Sequence, residues 1–275
     1  MGSICFRRFF YEGPLITGIP KFANRMKISF VIPAYNEEAY IGACLTSIAK
    51  ELARTPCEVE VVVVNNASTD ATRALAERFA GVRVVDEPHK GLVRARKAGF
   101  DATSGELVAN IDADTIMPEG WLQTVLTEFA KNKNLVALSG PYRYYDLSTW
   151  HRVQINVFYV FTWVLHVLNQ YVLRAGAIVQ GGNFVIRRDA WERAGGFDTS
   201  IEFYGEDTDV AKRLSKVGLV VWTWRLPMYT SGRRLAKEGL VYMSFKYSAN
   251  YFWMTFLGRP FSKTYIDVRS ERGRE

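Results

Sequence analysis

From residue 27 onward, short apolar runs alternate with longer segments in which apolar positions recur at helical spacing. Residues 27–32 read as a buried strand closed by Pro33, and residues 37–54 as a helix. Residues 59–64 are valines apart from Glu60, the pattern of a central parallel strand covered on both faces. Residues 70–80 read as a helix, 82–85 as a strand and 91–103 as a helix. Residues 107–111 then read as a strand, 119–131 as a helix and 135–139 as a further strand. This order predicts βαβ units, hence an α/β fold with a mostly parallel central sheet and helices on both faces. Ligands of such sheets bind beyond the carboxyl ends of the strands. Asn65-Asn66 and Asp112-Ala-Asp114 fall at two such ends.

Beyond residue 140 the pattern changes. Residues 153–172 are apolar and aromatic, but Gln154, Asn156, His166, Asn169 and Gln170 interrupt them. A spanning helix needs about 20 predominantly apolar residues, so this segment suits a helix lying in a membrane interface better than one crossing it. Residues 243–257 repeat the theme with Phe245, Tyr247, Tyr251, Phe252 and Trp253, bracketed by Lys246, Arg259 and Lys263. Burial against the core or a partner chain is the plain alternative for both.

At 275 residues, 48% hydrophobic and 23% charged, the chain has ample material for a core and none of the composition of a disordered protein. The formal charge of +7 favours anionic partners without choosing among them. Cys5, Cys44 and Cys57 are odd in number and widely spaced, which argues against a disulfide framework or a zinc site. Neither a dinucleotide-binding G-x-G-x-x-G nor a P-loop follows the first strand, so phosphates must be held by another device. Asp112 and Asp114 provide one, because two carboxylates can hold Mg²⁺ or Mn²⁺ while nucleotide phosphates fill the remaining positions.

Each remaining motif has a bland reading beside the chemical one. Tyr35 and Glu37 stand where the first strand ends, an aromatic face and an acceptor suited to a nucleobase and ribose. A turn and a capped helix would need the same residues. Asp70 is read as the N-cap of its helix. Lys90, Arg94 and Lys97 share one helix face, with Arg94 preferred to Arg96 as a diphosphate contact. Gly181-Gly-Asn183 permits close backbone approach. Glu206-Asp207, with Asp209 in support, opens a helix expected to reach residue 217. Arg233 and Arg234 form a pair able to grip a diphosphate bidentately.

In order, Val31-Ile-Pro-Ala-Tyr-Asn-Glu-Glu38, Asn65-Asn-Ala-Ser-Thr-Asp70, Asp112-Ala-Asp114, Gly181-Gly-Asn183 and Gly205-Glu-Asp-Thr-Asp209 resemble the family 2 glycosyltransferases across residues 27–235. The resemblance implies a Rossmann-like GT-A fold and inverting transfer of a sugar from a nucleoside-diphosphate donor. It implies Asp114 as direct metal ligand, with Asp112 also reaching the ion's waters and the donor hydroxyls. It implies Asp207 as the base that deprotonates the acceptor, with Glu206 beside it. The donor would touch Pro33, Tyr35, Glu37, Asn66, Lys90, Arg94, Arg233 and Arg234, and the acceptor side Gly181, Gly182 and Asn183. Two departures matter. Asn65 and Asn66 stand where the family usually has an Asp facing the base, which leaves uridine favoured but guanosine and thymidine open. No histidine follows the Glu-Asp pair, so the additional metal ligand of some relatives is missing.

The expected organisation is an appendage at 1–25, a transferase domain at 26–235 (nucleotide half to about 140) and a C-terminal interfacial helical segment at 236–275. The expected partners are a nucleotide sugar, a lipid-linked or cell-surface glycan acceptor, and peripheral membrane contact at the cytoplasmic face. The rivals are a nucleotide-sugar-binding module without chemistry and a nucleotidyltransferase. The second typically opens with a Gly-rich basic loop, which Pro33-Ala-Tyr-Asn36 is not. No basic-aromatic motif supports nucleic-acid binding.

Overall fold

The computed structural model describes residues 26–262 and 267, apart from 56, 174 and 202. The appendage expected at residues 1–25, and Lys263, lie outside the described residues. Seven strands form the central sheet: β1 (Ile28–Ala34), β2 (Val59–Asn65), β3 (Val82–Asp86), β4 (Leu107–Ile111), β6 (Leu135–Ser139), β8 (Asn183–Arg187) and β9 (Leu219–Trp222), in the order β3-β2-β1-β4-β8-β6-β9. All run in one direction except β8, which is antiparallel to both of its neighbours.

Pro33 does not close β1 but sits inside it, opposite Val64. Ala34 accepts from Asn66 N–H on the β2 side, so Pro33 faces the other way, where pairing with β4 has already ended at Val31. Its missing N–H therefore leaves no ladder bond unmade.

Helices α1 (Ile41–Arg54) and α4 (Trp121–Lys131) cover one face of the sheet. Helices α3 (Leu92–Asp101), α6 (Arg188–Arg193) and α7 (Glu206–Leu214) cover the other. Each face has its own apolar core, which is why β1, β4 and β6 are buried along their whole length. Buried Glu51 of α1 caps α4, accepting from Gly120 N (3.1 Å) and Leu122 N (3.0 Å). Helix α2 is shorter than its sequence pattern, Thr72–Ala76, and its N-cap position is Ala71 rather than Asp70, whose Oδ1 nevertheless accepts from Thr72 N–H at 2.9 Å.

A second sheet, unannounced by the sequence, joins β5 (Thr115–Ile116), β10 (Met228–Thr230) and β7 (Tyr142–Tyr144). Thr230 pairs with Thr115, so the chain after β10 emerges beside Asp114. The apolar segment predicted at 153–172 is helix α5 (Thr149–Val167), continued as one π-helical stretch, Leu168–Leu173. Helix α8 (Arg233–Glu238), across which the expected 235/236 boundary falls, leads into α9 (Leu240–Leu257). Among the described residues no helix is long and apolar enough to cross a membrane.

Candidate active site

The carboxyl ends of β4 and β6 and the start of antiparallel β8 meet at one rim of the sheet. Ile111 pairs with Asn183, which presses the Gly181-Gly182 turn against Asp112, and Asp112 N donates to Gly182 O at 3.3 Å. A Cβ on Gly182 would lie 2.0 Å from the Asp112 carboxyl carbon and 2.2 Å from the Tyr142 hydroxyl oxygen. Only glycine allows these groups to converge.

Arg96 organises the floor. It is 1% exposed, and its guanidinium donates to Glu206 Oε1, to Asp112 Oδ1 (3.2 Å) and to Gly181 O (2.6 Å). Burial works against its charge, yet Glu206 and Asp112 hold the guanidinium firmly protonated. Tyr142 donates to the other Asp112 oxygen at 3.1 Å. Helix α7 starts after Gly205, whose φ of 88° is a left-handed value that glycine takes at little cost. It presents Glu206 and Asp207 to the same space. Burial raises Glu206 to about 7 despite its Arg96 partner, and its Oε2 is buried without a hydrogen bond. Burial also raises Asp207, while Thr208 N donates to its Oδ1 at 2.8 Å. A carboxylate lifted toward neutrality is a stronger base than an exposed aspartate.

On the opposite wall Arg233 bridges two acids, donating to Glu37 Oε1 (2.6 Å) and Asp114 Oδ2 (3.0 Å), with its guanidinium 4.6 Å from the Tyr40 ring. Burial opposes this charge too, and Asp114 and Glu37 more than compensate. Arg234 stacks on Phe203 at 4.7 Å and pairs with Glu238 at 3.7 Å. Asp112, Asp114, Arg96, Glu206, Asp207 and Arg233 line a single cavity of about 280 Å³.

Tyr35 and Lys90 lie together, with Lys90 Nζ 3.8 Å from the Tyr35 ring centre and 2.7 Å from Asp267. Arg94, Asn183 and Asn66 do not line the cavity. Arg94 points to solvent, and Arg96 is the site arginine. Helix α3 buries Val93, Arg96 and Phe100, the i, i+3, i+7 stripe that faces the sheet. Arg94 and Lys97 lie on its exposed face, and Lys90 precedes the helix. An arginine on the apolar stripe was the available signal.

Asn183 is set into the sheet. It is fully buried and bolts the sheet together, accepting from Trp121 Nε1 (3.0 Å) and donating to Gly140 O (3.1 Å) and Leu226 O (2.8 Å). Asn66 is likewise spent on backbone: it donates to Glu87 O and His89 O and accepts from Gly91 N. Its amide shapes the loop before α3, with both N–H groups engaged and one lone pair of the oxygen left over. Asn65 Oδ1, by contrast, is a buried acceptor with no hydrogen bond. Pro33 is buried strand. Tyr142 carried no sequence signal, since its role depends on β7.

Two carboxylates at one rim suit a small hard cation that keeps water and phosphate ligands. Among the described residues no three His, Cys, Asp or Glu cluster as a closed metal cage. The donor set therefore fits Mg²⁺ or Mn²⁺ shared with a diphosphate.

The glycosyltransferase GlyA of Streptococcus pneumoniae is 29% identical over 122 residues, 43% of this chain and 17% of that protein. This chain thus spans under a fifth of the length of that curated relative. Among solved structures, a Pyrobaculum calidifontis mannosyltransferase in complex with GDP-Man and Mn²⁺ superposes with a TM-score of 0.64 at 24% identity, covering 85% of this chain and 64% of that one. Glucosyl-3-phosphoglycerate synthase of Mycobacterium tuberculosis, with Mn²⁺ and UDP-Glc, gives 0.59 at 23% identity, covering 86% and 81%. These likenesses establish the GT-A fold. The family model described as glycosyl transferase family 2 matches residues 29–195, more than half of the sequence, and the chain belongs to that family.

Proposed function

We propose that this protein is an inverting glycosyltransferase that moves a sugar from a nucleoside-diphosphate donor to an acceptor hydroxyl or phosphate in a single displacement. The observation that carries the reading is the convergence of Asp112, Asp114 and Arg233 with Glu206-Asp207 around one cavity. It supports a reading in which Arg233 and a cation at Asp114 receive a leaving diphosphate while Asp207 serves as base.

The base of the donor would lie against Tyr35 and Lys90, with the Asn65 carbonyl as acceptor. Uridine is favoured and guanosine remains possible, since the two structural neighbours described above hold UDP-Glc and GDP-Man respectively. Asp114, helped by Asp112, would hold Mg²⁺ or Mn²⁺. The ion's contribution is Lewis-acid stabilisation of the departing diphosphate. Arg233 would pair with a phosphate oxygen were a cation to replace it at Asp114. Arg96 keeps Asp112 and Glu206 in place. Asp207 accepts the proton of the acceptor hydroxyl as that oxygen attacks the anomeric carbon from the face opposite the leaving group, inverting its configuration. An acceptor phosphate would need no such proton transfer.

The acceptor side is formed by Gly181, Gly182 and the apolar helices α5 and α9. We place the protein peripherally at the cytoplasmic face of a membrane, on a lipid-linked or cell-surface glycan acceptor. The test is turnover of UDP-, GDP- and dTDP-sugars with Mn²⁺, with and without membrane lipid extract, beside Asp114→Ala and Asp207→Asn. Metal-dependent release of one nucleoside diphosphate, lost in both variants, is expected. Tight donor binding without turnover under any acceptor condition would instead identify a silent nucleotide-sugar-binding module.

A further inference from the structure

The site cavity does not end at the carboxylates. It continues away from the base side into a slot walled by Ile155, Phe158 and Leu165 of α5 and by Leu240, Tyr247 and Tyr251 of α9. The π-helical continuation of α5 is tied to α9 where Asn169 donates to the Tyr251 hydroxyl. Neither helix carries a carboxylate, and each has one permanently charged side chain, Arg152 on α5 and Lys246 on α9. Their outer faces expose aliphatic and aromatic groups, among them Val157 (67%), Val164 (50%), Val241 (80%) and Phe245 (64%). Single exposed apolar residues are ordinary, but a run of them on two neighbouring helices marks contact with another apolar phase. A glycan acceptor in water would call for polar edges there, and exposed valines give it nothing.

We infer that the acceptor carries a long hydrocarbon chain, which enters from the exposed faces of α5 and α9 and lies in the slot between them. Its reacting head group is thereby delivered to Asp207. The inference rests on the glycosyl-transfer reading of the same site and narrows its acceptor to the lipid-borne class. Continuity selects this occupant: Phe161, half exposed on α5, also lines the cavity that holds Asp207, and although Thr162, Ser244 and Ser248 line it too, the greater part of its wall is apolar.

The test is calorimetric titration of the whole protein, holding Mn²⁺ with UDP or GDP, against butyl, octyl and dodecyl phosphate below their micelle-forming concentrations, with inorganic phosphate as reference. Affinity should rise with chain length by up to about fourfold per methylene that enters the slot. The rise should vanish in Phe158→Asp, which places a charge in the slot, and in Leu165→Trp, which fills it. Both variants should keep nucleotide binding, and Leu165→Trp covers the case in which Phe158→Asp does not fold. A flat response in a nucleotide-binding wild type would overturn the inference and leave a water-soluble acceptor. Length dependence that survives in both variants would also overturn it, placing the chain on the outer faces alone. So would a dimer, seen by sedimentation and hydrogen exchange, that buries these faces against a second copy. A wild type that binds neither nucleotide would overturn the reading of the site and this inference with it.

Discussion

At the scale of single residues the site depends on one buried guanidinium. Arg96 satisfies Glu206, Asp112 and the Gly181 carbonyl together, so its removal leaves two carboxylates without their countercharge. Arg96→Met should destabilise the fold by about 3–5 kcal/mol, the cost of breaking a buried ion pair from one side, measured by urea unfolding. Glu206 gives a pH signature. Its folded pKa of about 7 stands above the ordinary 4.5 because burial outweighs Arg96. The folded state thus binds the extra proton, and this contribution to stability is full below 4.5 and lost as pH rises toward 7. Glu206→Gln cannot titrate, so the stability of wild type relative to the variant should fall across that window. Equal slopes in chemical-denaturation curves would mean Glu206 is already ionised. The carboxylates themselves were legible in the sequence because their spacing is local. Arg96 was passed over in favour of Arg94, since basic residues on a helix read as a solvated face until the buried stripe is known.

At the scale of elements, the decisive piece is the antiparallel strand β8 between β4 and β6. Asn183 at its start holds Trp121, Gly140 and Leu226. Asn183→Ala strands three buried polar groups and should cost at least about 2 kcal/mol, with a corresponding fall in Tm. A change within error would mean water replaces the amide. The second sheet acts likewise, because β10 against β5 delivers Arg233 to Asp114 across 119 positions of sequence. If the guanidinium holds the place of the cation, Arg233→Ala should tighten Mn²⁺ binding without nucleotide by up to about tenfold, the equivalent of about 1.4 kcal/mol of ion pairing. Electron paramagnetic resonance of free Mn²⁺ reads this directly, and unchanged or weaker binding would remove Arg233 from that role. Neither β8 nor β10 was predicted. Each is short, and its partners are distant in sequence, so local periodicity carries little of either.

At the scale of the molecule, a formal charge of +7 accompanies two helices with exposed apolar faces. Binding to vesicles rich in anionic lipid should therefore exceed binding to neutral vesicles. The excess should shrink with salt, as the Debye length falls from about 10 Å at 0.1 M to about 3 Å at 1 M. Co-sedimentation indifferent to lipid charge would assign the contact to apolar burial alone. The sequence by itself determined the alternation of strands and helices, the mostly parallel sheet, the Asp112-Ala113-Asp114 and Glu206-Asp207 carboxylates and the family. All of these are written in short-range pattern: runs of β-branched residues, helical spacing, and motifs within a few positions of each other. Tertiary structure alone decided that Arg96 faces inward, that Asn66 and Asn183 are engaged within the fold, that Arg233 bridges Glu37 and Asp114, and that α5 and α9 enclose a slot. The physical reason is that burial and pairing belong to positions in space. A buried charge or amide is stable only where the fold brings its partners from distant segments, and no local pattern records which partners those are.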